Sequence, residues 1–314
     1  MTQVTLEGVP PARPGGGNVA GPAAPRARLE VLEGLRFLAA LGIVWFHLHA
    51  PGSGIASGAL ALFLVLTAYF AALSLTKVGL RDFWMSRVMR VLLPWLVWCG
   101  FYLVVNAVRL RGVEPALRLE NPWAVFIGPS IHLWFLPWVL ISAVPIMLLA
   151  PRLRTEGALV GAAVAAVPLC VTMLWIAEGT TMPPFEQWTV ATTPTVYGLL
   201  AAVALRFGRP LVAPLFLVAT VAGCLAVGAT EALEPLVIGI VAFEFGRRAT
   251  WRVPGLRALG RLSFGIYLIH PFFIYVLFKF GGDSGTVAAA LAVFAVSALF
   301  TAVMLRVPGM RTLV

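Results

Sequence analysis

The chain has 314 residues, 60% of them hydrophobic and only 11% charged, with a mean hydropathy of +0.93. A water-soluble domain carries about 25% charged residues, so the composition excludes a soluble globular fold and indicates an all-α polytopic membrane protein. The formal net charge of +10 would suit nucleic acid in a soluble chain, but here the basic residues lie between apolar runs, so membrane topology explains them and no nucleic-acid partner is expected.

Residues 1–29 are rich in Pro, Gly and Ala ("PPARPGGGNVAGPAAPRAR") and contain no apolar stretch of signal-peptide type. Such a segment cannot bury a face, so 1–29 is expected to be a disordered cytoplasmic tail and 30–314 a single transmembrane domain. A helix needs about 20 apolar residues to cross a bilayer, with a range of about 17 to 25. Ten segments qualify: 31–50, 55–76, 90–108, 131–150, 157–177, 190–206, 211–229, 233–248, 262–280 and 285–306. With the N-terminus placed in the cytoplasm, the inner segments collect all of the 23 lysines and arginines except Arg109, Arg111, Arg118 and Lys279. The outer loops collect Glu114, Glu120, Glu178, Glu186, Glu231, Glu234 and Asp283. This is the positive-inside pattern, and it predicts a bundle of about ten transmembrane helices with both termini cytoplasmic. Lys77 and Lys279 are the only lysines, a bias associated with GC-rich bacterial genomes, so a multi-pass protein of a bacterial plasma membrane is expected. Cys99, Cys170 and Cys224 all lie in apolar runs without metal-type spacing and read as small hydrophobic residues.

The first span, "EGLRFLAALGIVWFH", places Arg36 and His47 in otherwise apolar sequence. They are eleven residues apart, and eleven steps of about 100° return to within about 20° of the start, roughly 16 Å along the axis. Both side chains therefore share one face, with Glu33 able to pair with Arg36 from three residues away. Ionisable groups inside a membrane usually line a polar cavity between helices. The stretch "DFWMSRVMRVLLPW" sets Arg87 and Arg90 one turn apart before Pro94, where two guanidiniums suit phosphate. "HLWFLPW" opens the fourth span with His132 and Trp134. The ninth, "LGRLSFGIYLIHPFFIY", carries Ser263, Tyr267 and His270 on one face, followed by Pro271. Ordinary membrane roles stay open for each: anchoring charges for the arginines, helix-to-helix hydrogen bonds for the histidines, an interfacial belt for Trp134.

Taken in order, these pieces resemble acyltransferase family 3, the integral membrane O-acyltransferases. The family's acidic-Gly-x-Arg start with a histidine eleven residues after the arginine is matched by Glu33, Gly34, Arg36 and His47. Its Arg-x-x-Arg and Pro entrance to the third span is matched by Arg87, Arg90 and Pro94, and its "hLWFL" start by His132, Leu133, Trp134, Phe135 and Leu136. Its "SYGIYLIHP"-like span is matched by Ser263, Gly265, Tyr267, Leu268, Ile269, His270 and Pro271. The resemblance runs from about residue 30 to 306. It departs from the family at Thr67 and Ala68, where Ser and Gly are expected.

The resemblance implies transfer of an acyl group, often acetyl, from acyl-CoA to a hydroxyl of a glycan, glycolipid or secondary metabolite, with membrane lipid around the protein and no metal. On that basis His47 is the expected general base, and Arg36 shares its catalytic face. Arg36, Arg87 and Arg90 are the expected donor-binding residues. Glu33, His132, Trp134, Ser263, Tyr267 and His270 are candidates for contacting substrate or stabilising the oxyanion. Without the resemblance, the same polar face would equally serve a transporter or flippase, and a non-catalytic membrane partner is a third reading.

Overall fold

A computed structural model describes residues 24–75, 77–111, 122–249 and 253–314. The described residues are helical, with no strand among them. Ten helices of fifteen residues or more occur there: α1 (Ala24–His47), α2 (Gly58–Ser74), α3 (Leu93–Leu110), α4 (Phe135–Leu149), α5 (Glu156–Gly179), α6 (Phe185–Ala204), α7 (Val212–Val227), α8 (Leu233–Arg248), α9 (Ser263–Lys279) and α10 (Val287–Met304). Six helical stretches are long and apolar enough to cross a membrane by length and composition. These contain α2 to α6 and α10; α7 and α9 are shorter apolar helices. The tail expected over 1–29 lies mostly outside the described residues, and α1 already begins at Ala24.

Local sequence accounts for the helix limits. Thr155 and Thr286 cap α5 and α10, accepting from the Ala158 and Ala289 N–H groups at 3.1 Å each, as N-cap hydroxyls do. Before α3, a helix over Leu80–Arg87 continues through a π turn at Val88–Leu92. Pro94 has no N–H to give the Arg90 carbonyl, and the wider turn absorbs that defect.

The centre of the bundle is α2, packed against α6 and α8. Leu62 to Leu66 are all buried. Close approach depends on glycine: a Cβ on Gly239 would lie 2.5 Å from the Gly58 carbonyl oxygen and 2.6 Å from the Leu62 nitrogen. Small residues at such crossings let helix backbones meet where lipid offers no hydrophobic driving force. At Ala68, where the family pattern has glycine, the missing space comes from the partner helix, because Gly198 of α6 sits directly opposite.

Contacts between connections sort the helix ends into two layers. At one end Arg206 donates to the Ala150 carbonyl at 3.1 Å, Arg209 pairs with Glu156 at 2.8 Å, and Arg247 donates to the Pro210 carbonyl at 3.0 Å. At the other, Gly285 N–H donates to the Leu48 carbonyl at 2.6 Å, Glu231 N–H to Glu178 at 2.8 Å, and Asn106 to the Pro129 carbonyl at 2.6 Å. The first group holds the arginine-rich segments and the second the glutamate-rich ones.

Candidate active site

Helix α1 turns its polar face into the protein. The Arg36 guanidinium carbon sits 5.8 Å from the ring centroids of both Phe63 and Phe70 on α2, a cation–π arrangement. Its Nη1 is 3.5 Å from Glu33 Oε2, and its Nε is buried without a hydrogen-bond partner. At the other end of the helix, His47 stacks on His270 of α9, with ring centroids 5.3 Å apart and planes 26° from parallel.

Proline chemistry builds the histidine cluster. Pro271 cannot supply the N–H that would close the helix on the Tyr267 carbonyl. That carbonyl instead accepts from His270 Nδ1 at 2.8 Å, with the Ile266 carbonyl at 3.3 Å. Since Nδ1 faces only carbonyl oxygens it carries the proton. Nε2 is then a bare lone pair, buried and without a partner. His132 is fixed in the opposite sense: Nε2 faces the Leu268 carbonyl at 3.2 Å and Nδ1 faces Ser130 Oγ at 2.9 Å. Its ring lies 5.8 Å from that of His270. Tyr267 donates its hydroxyl to the His132 carbonyl. His132 is 5% exposed and His270 fully buried, whereas His47 is exposed. Among the described residues neither nitrogen of His47 has a hydrogen-bond partner, so both are available to a ligand.

His47 faces a cavity of 480 Å³. His132, Trp134 and Tyr267 also line it, with Phe46 and Leu64. Glu178, Glu186, Gln187 and Glu231 contribute from the glutamate-rich end, and neither Lys nor Arg lines it. At the arginine-rich end a second cavity, of 300 Å³, is lined by Glu33, Phe70, Ser74, Lys77 and Arg257. Between them lies a gap of 10 Å³, room for about one water, lined by Thr67, Arg87, Trp138 and Thr195. Leu64 borders both this gap and the His47 cavity.

Arg87 is half-buried beside the gap, its Nη2 donating to Ser74 Oγ at 3.3 Å and its guanidinium 5.0 Å from the Phe83 ring centroid. Its Nε is buried and unpartnered, and the charges of Arg90 and Arg36 both act on it. Among the described residues no carboxylate pairs with Arg87. Arg90, one turn on, is exposed. Of Arg36, Arg87 and Arg90 only Arg36 pairs with a carboxylate among the described residues, Glu33; Glu30 lines the cavity beside it, and the two arginines without a carboxylate partner suit a phosphate-bearing ligand.

The structure brings His47, His132, Trp134, Tyr267 and His270 together, and separately Glu33, Arg36, Arg87 and Arg90. Ser263 joins neither group: it is buried and donates to the Gly260 carbonyl at 2.7 Å, at the start of α9. Seven residues along a helix is two turns, roughly 10 Å, which separates it from His270 although both share a face. The sequence reading passed over Tyr102, which donates to the Leu268 carbonyl at 2.7 Å and meets His132 edge-on at 4.8 Å. A tyrosine inside the apolar third span was the available signal. It also passed over Phe63, which lies between Arg36 and the Tyr267 ring, its centroid 5.9 Å from the latter. One aromatic among many in an apolar helix gives no such signal.

A family model described as an acyltransferase domain matches residues 29–306. No match was found among curated proteins or among solved structures.

Proposed function

The chain belongs to this acyltransferase family, whose members transfer acyl groups to oxygen, and from that premise we propose that acyl-CoA is the donor and a hydroxyl of a carbohydrate or natural product the acceptor. The observation that carries the proposal is the placement of His47. It is the exposed imidazole on the wall of a 480 Å³ cavity, with unpartnered arginine nitrogens on the far side of Phe63 and Leu64.

In the proposed reaction the acceptor hydroxyl lies beside His47 and gives its proton to the neutral imidazole as its oxygen bonds to the thioester carbonyl carbon. The reference pKa of histidine, about 6.5, suits this task, and general-base help is typically worth about 10²- to 10⁴-fold. The tetrahedral intermediate collapses, the C–S bond breaks, and the thiolate of coenzyme A recovers the proton from the imidazolium. Tyr267 already donates to the His132 carbonyl, and His270 Nε2 carries a lone pair. An oxyanion donor would therefore come from a rearranged Tyr267 or from a backbone amide.

The donor phosphates dock, in this reading, on Arg36, Arg87 and Arg90, and the pantetheine arm covers the roughly 16 Å to His47. The arm needs the 10 Å³ gap beside Arg87 to widen past Leu64. All ten long helices cross the membrane, with the arginine-rich end and both termini in the cytoplasm and the His47 cavity opening towards the outer face of a bacterial plasma membrane. The charge sorting at the two ends supports this orientation, as does the cytosolic origin of acyl-CoA. The transporter reading has no specific observation in its favour.

The test is purified protein given acetyl-CoA and a panel of hydroxyl-bearing glycans and glycosides, followed by thiol release and by the mass of the acceptor. Thiol release with a gain of one acetyl group on an acceptor is expected. Absence of coenzyme A binding and of thiol release across the panel would reject the donor.

A further inference from the structure

Helices α7 and α8 are consecutive and joined by a short connection, a situation in which neighbours normally pack. Here they make almost no contact with each other: α7 packs on α5 and α6, and α8 packs on α2 and α1. The space between them is a groove of 560 Å³ walled by Pro214, Leu217 and Val218 of α7 and by Ile240 and Val241 of α8. Val218 and Val241 are 65% and 58% exposed.

The groove ends in charge. Glu244 is buried at 8% exposure. Its Oε1 accepts from Tyr197 Oη at 2.7 Å and from Arg247 Nε at 2.6 Å, and its Oε2 is 2.9 Å from Arg248 Nη2. Two guanidiniums answer one carboxylate. Arg247 is enclosed, with its side chain 8% exposed and its Nη2 on the Pro210 carbonyl. The surplus positive charge is therefore presented by Arg248, whose side chain is 58% exposed and lines the groove. Gly246 abuts Leu32 and Leu35, which sets Arg248 at the arginine-rich end of the bundle.

We propose that this groove binds one anionic phospholipid, its phosphate on Arg248 and the first part of an acyl chain lying between α7 and α8. From Ile240 to Arg248 the groove runs about 12 Å along α8. Basic pockets between membrane helices hold anionic headgroups in this way. A second copy of the chain would bring further arginines to the same level, because arginines outnumber carboxylates at that end, and like charges oppose such a pairing. A phosphodiester whose charge no headgroup ammonium offsets supplies the missing negative charge.

Native mass spectrometry on the purified full chain tests this, using phosphatidylglycerol and phosphatidylcholine with identical acyl chains. One cation near the surface gives about fivefold discrimination, so the wild type is expected to retain phosphatidylglycerol about fivefold better. Arg248→Gln should bring the ratio near unity, and Arg248→Lys should largely restore it. Val241→Trp, which fills the groove, should reduce retention of both lipids. Equal retention by the wild type, or an Arg248→Gln ratio unchanged from it, overturns the proposal. So does a lipid-independent dimer that Val241→Trp dissociates, since that would make the groove an interface between copies. These readouts involve no acyl transfer, so they stand or fall separately from the proposed reaction.

Discussion

The stacked pair His47 and His270 allows catalysis and stability to be separated by two truncations. His47 has no hydrogen-bond partner among the described residues, so His47→Ala leaves no buried polar group unpaired; it gives up only the stacking on His270 and should leave the thermal midpoint within a few degrees of wild type. If His47 is the base, its loss should lower turnover by about 10²- to 10⁴-fold. At 1.36 kcal/mol per factor of ten, that is roughly 2.7 to 5.4 kcal/mol on the barrier. His270 is fully buried, and Pro271 cannot replace its hydrogen bond to the Tyr267 carbonyl. His270→Ala therefore leaves an unpaired acceptor, costing about 1 to 3 kcal/mol, together with a cavity where the ring was. It should lower the thermal midpoint by several degrees as well as lowering activity. The assay is thiol release from saturating acyl-CoA by expression-matched protein, beside a melting curve in the same detergent. The reasoning fails if His47→Ala keeps more than a tenth of wild-type turnover, or if it loses as much stability as His270→Ala.

Three further outcomes follow from the geometry. Arg36→Ala and Arg87→Ala should each raise the KM for acyl-CoA by roughly 10- to 160-fold with a smaller change in kcat, since a lost charge-assisted contact is worth about 1.5 to 3 kcal/mol; steady-state kinetics with unchanged KM values would remove their phosphate role. Leu64→Trp should block the route between Arg87 and the His47 cavity, so acyl transfer should fall while binding of free coenzyme A, measured by calorimetry, is retained. Gly239→Ala puts a methyl against the Gly58 carbonyl and the Leu62 nitrogen, backbone atoms that cannot rotate away; a loss of about 1 to 3 kcal/mol should appear as a lower melting temperature, and an unchanged one would show that α2 and α8 can part freely.

The sequence alone determined the all-helical membrane character, the positions of the long helices and the inward face of α1, because these follow from local quantities. Apolar run length sets a helix, charge alternation sorts its ends, and a period of 3.6 residues puts Arg36 and His47 on one side. It also singled out the histidines, since an imidazole in an apolar run has to be paid for by some partner. It could not show that His47 stays open to a cavity while His270 is sealed, for that depends on which helix packs over each ring. Nor could it show that Ser263 donates to the Gly260 carbonyl instead of joining His270, that Tyr102 holds the far side of the cluster, or that Phe63 and Leu64 stand between the arginines and the base. The splaying of α7 from α8 is likewise invisible in two well-formed apolar segments. Each of these is a matter of neighbours distant in the chain, and only packing in three dimensions chooses them.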